Sequence, residues 1–204
     1  PAALPVDLPT IYQHLNLILD EDGEPEDQAD AAYVEELVKA AVSRLDGPNG
    51  LLNRCLITQT WRASFPRFAA SIRLPLGRVE EIVAVEFIAA DGSPKTLPSE
   101  DYIVLGLGTD MANIRPAAGK RWPSTMYRHP EAVTVEFVAG FGETPDEVPG
   151  DIRLAIMEMV ATSYANREDT VVATAAASLP SAATRVVTDW TNWGGLYWER
   201  GADE

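Results

Sequence analysis

Cysteine and histidine are scarce in this chain, and their scarcity excludes several kinds of site. Cys55 is the single cysteine among 204 residues, so an internal disulfide and a cysteine-rich zinc site are both ruled out. Its setting, LNRCLITQTW, predicts a packing role in a buried strand. The two histidines, His14 and His129, have no neighbours in a metal-binding pattern. We therefore expect no metal and no cofactor.

The sequence patterns of membrane insertion, nucleotide binding and catalysis are also lacking. The chain has no apolar run of about eighteen residues and no signal-peptide pattern at its start, which predicts a soluble cytoplasmic protein. The glycine pairs at Gly106 and Gly140 lack the other residues of a phosphate-binding loop, and no serine lies in a GxSxG elbow. The acidic stretch from Asp20 has Pro25 where a calcium-binding EF-hand requires glycine. We expect no enzymatic activity.

Basic residues are few, since 16 Lys and Arg stand against 31 Asp and Glu and leave a net charge of -15. Proteins that hold nucleic acid tightly carry the opposite excess. The acidity indicates either simple solubility or a surface that repels a negatively charged neighbour. Nine of the acids lie between residues 20 and 36 with no basic residue among them, which predicts a solvated loop leading into a helix. The candidates for a contact or channel-lining role in this loop are Asp20, Asp22, Glu24, Glu26 and Asp27.

Hydrophobic spacing predicts an α+β fold, and an apolar content of 46% supports a packed core. Helical spacing over residues 7–46 begins at Asp7, a plausible N-cap. Alternation with period two over residues 53–140 predicts five or six mostly antiparallel strands. Helical spacing returns over residues 149–167, behind Pro149. We expect a single α+β domain over residues 1–168.

The remaining residues, 169–204, lack a clear period and are predicted to form an extended docking tail. They hold three of the five tryptophans. Aromatic side chains at a chain end point either to an interface or to packing against the parent domain. The candidate docking residues are Trp190, Trp193, Tyr197 and Trp198.

Residues 115–130 form a basic island in this acidic chain. Pro116, Pro123 and Pro130 interrupt it, which predicts a loop of about fifteen residues, and loops of that length are usually functional or mobile. Two uses remain open: it could grip a phosphate backbone and stack on bases, or it could meet carboxylates of another protein, including the acidic region of a second copy. The island's candidate contact residues are Arg115, Lys120, Arg121, Trp122, Tyr127 and Arg128.

The order of motifs resembles the head–tail connector, or adaptor, family of long-tailed bacteriophages and gene transfer agents. The most specific segments are the ITQTW strand, the RWP loop, the VAGFG strand end and the YANRE helix end, in that order. The resemblance as a whole covers about residues 4–168, beginning with PVDL and the short helix that follows it. The likeness looks greatest to the gene transfer agent version. The aromatic end, TDWTNWGGLYWER, departs from the family's pattern.

The resemblance implies a structural, non-enzymatic role. Such adaptors form a ring, usually of twelve copies, beneath the portal of a particle assembled in the bacterial cytoplasm, and they continue the DNA channel in the virion neck. The implied partners are the portal protein, neighbouring adaptor subunits and a tail-side stopper or tail terminator protein, with DNA passing without specific binding. The family also assigns its C-terminal segment to portal docking. The alternative is a DNA-binding factor that uses the basic loop 115–129.

Overall fold

Helices and antiparallel strands both contribute to the fold, as the α+β prediction requires. A computed structural model describes residues 3–23, 25–166 and 179–192, and within them four α-helices and seven strands are formed. The predicted contact residue Glu24 and the predicted tail residues Trp193, Tyr197 and Trp198 lie outside the described residues.

The N-terminal helical region consists of two helices, α1 (Leu8–His14) and α2 (Gln28–Leu45). The first helix begins after Asp7 as predicted, although that side chain makes no capping hydrogen bond. It ends earlier than its apolar spacing suggests, because Asn16 adopts a left-handed backbone with φ 55° and turns the chain. The second helix is capped by Asp27, whose carboxylate accepts a hydrogen bond from the backbone N–H of Ala29 at 2.9 Å.

Two further helices follow the strands. Helix α3 (Gly150–Ala165) lies within the predicted range 149–167 and begins directly after Pro149. Helix α4 (Ser181–Trp190) stands where the sequence predicts extended chain. Ala183 and Val186 are buried and the ring of Trp190 packs beside them, so α4 buries one apolar side against α3. The small residues before Ser181 hide this helical period, which becomes visible only across residues 183–190.

The strand region contains seven strands rather than the five or six predicted, because two of them have only two or three residues, and it is divided into two sheets. The four-stranded sheet has the order β1-β7-β3-β4 and the three-stranded sheet the order β2-β6-β5, with every pair antiparallel. The strands are β1 (Gln59–Phe65), β2 (Ile72–Arg73), β3 (Val79–Ile88), β4 (Pro94–Thr96), β5 (Tyr102–Leu105), β6 (Asn113–Pro116) and β7 (Val133–Ala139).

Two hydrophobic cores hold the chain together. The first lies among the four helices. The second lies between the inner faces of the two sheets, where side chains such as Ile114 of β6 and Phe137 of β7 are fully buried. The predicted alternation along β1 is confirmed, because Trp61, Ala63 and Phe65 face this second core while their neighbours are exposed.

The two cores are joined where α2 ends and β1 begins. The carboxylate of Asp46, which follows α2, accepts hydrogen bonds from the backbone N–H of Leu56 at 2.6 Å and from the side-chain amide of Gln59 at 2.9 Å. Gly140 ends β7 beside this junction, with a φ of 152°. A Cβ atom there would lie 2.5 Å from the Cα of Thr58, so this position excludes any side chain.

Candidate functional site

The basic island begins in a strand and continues as a loop. Arg115 belongs to β6, and its Nε donates a hydrogen bond to the Ser71 hydroxyl at 3.3 Å. From residue 117 to residue 132 the chain forms no helix or strand, apart from a bridge between Thr125 and Ala89. The predicted loop is therefore observed, and it connects the two sheets by running from β6 to β7.

Two side chains of the island are bound to the body of the protein. The ammonium group of Lys120 lies 2.6 Å from the Asp101 carboxylate, and this pairing raises the Lys120 pKa. The Trp122 indole N–H donates to the Ala69 carbonyl at 2.6 Å, and its ring stacks on Phe68 with the centroids 4.7 Å apart. Each group already has a partner within the protein, so the island offers less to nucleic acid than its sequence indicates.

Other side chains of the island point away from the body. The Tyr127 side chain is 82% exposed. The Arg128 guanidinium lies 5.2 Å from the Tyr127 ring centroid, and Arg128 has a left-handed φ of 59°. The exposed Arg121 and Arg128 have no carboxylate within ion-pair distance among the described residues. Within the loop, these two arginines remain available to a partner, as does Arg115 on β6, which forms no ion pair with a described residue either.

The acidic loop forms a hairpin at the start of α2. Its base is closed by a bridge between Leu19 and Pro25 and by a hydrogen bond from the Glu26 N–H to the Ile18 carbonyl. Ile18 is 73% exposed beside the acids. Two of the candidate acids have local roles, because Asp27 caps α2 and Asp20 accepts a hydrogen bond from the Asp22 N–H at 3.0 Å.

Trp190, the described member of the predicted docking tail, packs against its own protein. Its indole N–H donates to the Asp151 carboxylate at 2.6 Å, and its ring meets the Phe141 ring edge to face with centroids 5.7 Å apart. The chain beyond it is also tied down, since the Asn192 N–H donates to the Leu52 carbonyl at 2.9 Å. Trp190 therefore serves the fold, and only residues beyond Asn192 remain candidates for docking.

A buried arginine that sequence reasoning missed lies at the same place. Arg54 is 3% exposed, and its guanidinium lies 5.8 Å from the Phe141 ring centroid and 5.4 Å from that of Trp190. It pairs with Asp110 at 2.8 Å. A buried charge requires an ion-pair partner of this kind. The local sequence NRCL gives no indication of a partner 56 residues away. Arg54 joins α4 to the sheets.

The described residues contain neither a metal-binding cluster nor an activated cysteine. In residues 3–23, 25–166 and 179–192 there is no group of three or more His, Cys, Asp or Glu side chains placed to hold a metal ion. Burial, with a smaller contribution from Asp46, raises the pKa of the Cys55 thiol to about 12, so this sulfur remains protonated near neutral pH. Every helix in these same ranges is too short or too polar to cross a bilayer.

Exposed apolar side chains form a second feature that the sequence analysis did not identify. Ile103 and Leu105 of β5 are 44% and 41% exposed, and Leu107 and Met111 follow in the adjoining turn. The alternation along β5 gives the signal, since Tyr102 packs on the core and Val104 lies opposite the buried Ile114, whereas Ile103 and Leu105 face outward. The sequence cannot show that this face is left uncovered.

Comparison with solved structures identifies proteins of the same fold. A chain in the neck of an empty gene transfer agent (GTA) particle, computed with C6 symmetry, is 21% identical with a TM-score of 0.69, covering 92% of this chain and 91% of that chain. A chain of the native GTA virion is 20% identical with a TM-score of 0.62 over 91% and 89% of the two chains. A chain in the neck of the native particle, computed with C12 symmetry, is 19% identical with a TM-score of 0.61 over 93% and 88%.

Neither a protein-family model nor a curated protein sequence matches the chain. At identities of 19–21%, the structural likeness shows a shared fold. The resemblance drawn from the motif order is thereby confirmed at the level of fold: the chain is built like proteins of the gene transfer agent neck.

Proposed function

We propose that this protein is a structural head–tail adaptor in the neck of a phage-like particle. In this role, copies of the chain form a ring beneath the portal and continue the DNA channel toward the tail. The role is mechanical and requires no catalytic group. Its partners are the portal protein, neighbouring copies of the chain and a tail-side stopper or terminator protein.

The observation that carries this proposal is the likeness to a neck chain over nearly the whole of both proteins, 92% of this chain and 91% of that one. A likeness of this extent includes the helical core and both sheets. The two neck structures were computed with C6 and C12 symmetry. A ring of twelve copies is compatible with both symmetries, since each copy of a closed ring occupies an equivalent position.

The charge of the chain supports a channel role. Twelve copies at -15 each would carry 12 × -15 = -180 in total. A wall presenting part of this charge would repel the phosphates of passing DNA, so that the duplex could slide without being held. The exposed acids of the hairpin, including Asp20, Asp22 and Glu26, are candidates for such a wall.

The basic loop is proposed to contact a neighbouring subunit. Its available side chains, Arg121, Tyr127 and Arg128, are carried by a loop that Trp122 and Lys120 hold against the body. Because these two contacts already restrict the loop, it loses little conformational entropy when it binds, which favours its use as a contact with another protein. Charge reversal at Arg121 and Arg128 is expected to impair ring assembly while leaving the monomer folded.

The C-terminal residues 193–204 are proposed to dock onto the portal. Truncation after Asn192 retains Trp190 and its contacts with Phe141 and Asp151, so the domain should keep its stability. The truncated chain is expected to lose attachment to portal rings in a co-sedimentation assay. Undiminished attachment would contradict this docking role.

Imaging of the purified protein mixed with its portal tests the proposed function directly. We expect negative-stain images to show an additional ring beneath the portal. The chain should also be present in necks of purified particles, and particles assembled without it should fail to join tails. A chain that is absent from particles and does not bind portal rings would contradict the proposal.

A further inference from the structure

The two sheets expose outer faces that point in opposite directions. They pack through their inner faces, where residues of both sheets form one core, so each outer face is turned away from the other sheet. The helices pack mainly on one another and leave both outer faces open to solvent. Each open face is a surface on which another molecule can stack.

The outer face of the three-stranded sheet is apolar and basic. Ile103 lies opposite Arg115 in the pairing of β5 with β6, and Leu105 lies opposite Asn113, which in turn lies opposite Arg73 of β2. Directly opposed side chains on one face of a sheet lie about 5 Å apart, so these five residues form one continuous surface. Its apolar edge is β5, the last strand of this sheet.

The two arginines of this face have no carboxylate partner among the described residues. Two of the acids that flank β5 are already engaged, since Asp101 pairs with Lys120 at 2.6 Å and Asp110 pairs with Arg54 at 2.8 Å. The third, the exposed Glu100, forms no ion pair with either arginine. Arg115 is held on the face by its hydrogen bond to Ser71. The face therefore presents two unpaired positive charges beside exposed isoleucine and leucine, in a protein of net charge -15.

The outer face of the four-stranded sheet has the opposite charge. Glu81 and Glu86 of β3 are exposed on it, opposite Val138 and Thr134 of β7. Neither glutamate forms an ion pair with a described residue, whereas Glu136 on the same face pairs with Arg62 at 2.6 Å. A bulge in β3 also leaves Val83 51% exposed.

An open groove of about 370 Å³ lies at the edge of this acidic face. Two carboxylates, those of Glu86 and Glu131, line it together with the imidazole of His129 and the ammonium group of Lys95. The apolar side chain of Ile88 also contributes to its wall. Its size and its carboxylates suit a guanidinium group entering from another molecule.

We propose that these two faces bind each other between copies, so that the apolar and basic face of one protomer packs on the acidic face of the next. The occupant is a second copy because the charges are complementary and because one molecule cannot bring its own two outer faces together. The two contacting surfaces differ, so the contact is head-to-tail and produces a ring when its rotation closes. This contact rests on the proposed function and specifies how its ring is built.

Charge-swap variants test the contact. The change Arg115→Glu, alone or with Arg73→Glu, is expected to raise the protein concentration needed for half-maximal assembly by about tenfold or more, measured by mass photometry at low ionic strength. The change Glu86→Arg should have a similar effect. The chain carrying both Arg115→Glu and Glu86→Arg should recover most of the lost assembly, since the two charges are exchanged.

Matched controls separate this contact from general effects of charge. Arg185→Glu changes an exposed arginine of α4, and Glu26→Arg changes an exposed acid of the hairpin. Both are expected to leave assembly unchanged. Loss of assembly with Glu26→Arg but not with Glu86→Arg would show that the hairpin is the acidic partner and would overturn the proposal. A double swap that assembles no better than the single variants would also overturn it.

Thiol crosslinking provides an independent readout. Cys55 is buried, so native protein carrying Ile103→Cys and Val83→Cys should react with a short bis-maleimide only at the new positions. We expect covalent ladders from the double variant and no crosslinked product from either single variant. Covalent dimers from a single variant would indicate a symmetric contact and overturn the proposal, since one reactive thiol per chain can link only two chains; absence of ladders from assembled rings of the double variant would also overturn it.

The failure of this contact is distinguishable from failure of the proposed function. If assembly occurs only on the portal, the same variants are scored by their incorporation into necks of purified particles. If the wild type and the Arg115→Glu and Glu86→Arg variants are all incorporated normally, the result contradicts the proposed contact but not the adaptor role. Absence of the wild-type chain from necks would contradict the adaptor role, while self-association and crosslinking of the purified chain would still report on the contact.

Discussion

At the scale of single residues, Cys55 links the core to the pH dependence of stability. Burial raises the pKa of its thiol from an ordinary value of 9.0 to about 12. Above about pH 9 the unfolded chain loses this proton while the folded chain keeps it, so the unfolded state is favoured increasingly as the pH rises. The stabilisation is complete below about pH 9 and is lost progressively toward about pH 12.

We therefore predict that the free energy of unfolding falls more steeply between about pH 9 and about pH 11 in the wild type than in Cys55→Ala. The difference in slope should approach, at most, about 1.4 kcal/mol per pH unit. Urea titrations at several pH values measure it, and only slopes are compared because the substitution also creates a cavity. Equal slopes for the two proteins would contradict the assigned pKa shift.

Gly140 is a residue whose backbone surroundings leave no room for a side chain. A Cβ atom there would approach the backbone of Thr58 to 2.5 Å, and no side-chain movement can relieve a clash with main-chain atoms. We predict that Gly140→Ala lowers the free energy of unfolding by about 3 kcal/mol. Chemical denaturation measures this loss.

Gly150 provides the matched control for this substitution. It lies at the first position of α3, where an added Cβ atom would have no heavy atom within 4 Å and where φ is not positive. Gly150→Ala should be neutral or slightly stabilising, since alanine loses less backbone entropy on folding than glycine. Equal losses from both changes would show that the contact with Thr58 is not what makes Gly140 necessary.

At the scale of elements, the docking of α4 depends on Trp190. The residue combines an edge-to-face contact with Phe141, a position beside the buried Arg54 guanidinium and a hydrogen bond to Asp151. We predict that Trp190→Ala lowers the free energy of unfolding by about 2–3 kcal/mol, because it removes a large ring and one of the two aromatic rings beside the Arg54 guanidinium.

Asp189→Ala is the control for that change, because Asp189 is an exposed neighbour on the same helix. It should alter stability by no more than about 0.5 kcal/mol. Near-ultraviolet circular dichroism should lose the Trp190 signal on thermal release of α4. A Trp190→Ala protein as stable as Asp189→Ala would contradict the docking role.

The elements themselves were predicted to different extents for physical reasons. Helix α3 and the alternating strands β1 and β7 follow their hydrophobic periods closely, since each buries one continuous face. The period of α4 spans only ten residues and begins in a run of small side chains, so it was missed. The short strands β2 and β4 have too few residues to show any period.

At the scale of the whole molecule, the charge predicts the behaviour toward DNA. The net charge is -15, and Lys120 and Trp122 of the basic island are bound within the protein. We predict that the isolated chain shows no tight binding to duplex DNA at physiological salt, measured by fluorescence anisotropy. A variant that carries both Arg121→Glu and Arg128→Glu is the comparison, and its anisotropy curve should not differ from that of the wild type.

Tight binding that weakens steeply with salt and disappears in the Arg121→Glu and Arg128→Glu variant would contradict this expectation. It would favour the DNA-binding alternative over a ring that lets DNA pass. The adaptor role instead requires that phosphates meet repulsion along the surface that lines the channel.

The amino-acid sequence alone determined the fold class, the acidic character, the loop between β6 and β7 and the motif order that resembles the head–tail adaptors. These features depend on composition and on local spacing, which are fully present in the chain. It did not determine which members of the basic island are free, because Lys120 and Trp122 find partners in Asp101 and Ala69, distant along the chain.

The tertiary structure alone decided the roles of Arg54 and Trp190 and the two opposed outer faces. Each of these depends on residues far apart in sequence: Arg54 meets Asp110, Trp190 meets Asp151, and the faces exist because seven strands divide into two sheets. Local periodicity shows which side of a strand is apolar, but only the packing of the folded chain decides whether another element covers the opposite side. That is why the exposed face of β5, and the contact proposed for it, could be seen only in the folded molecule.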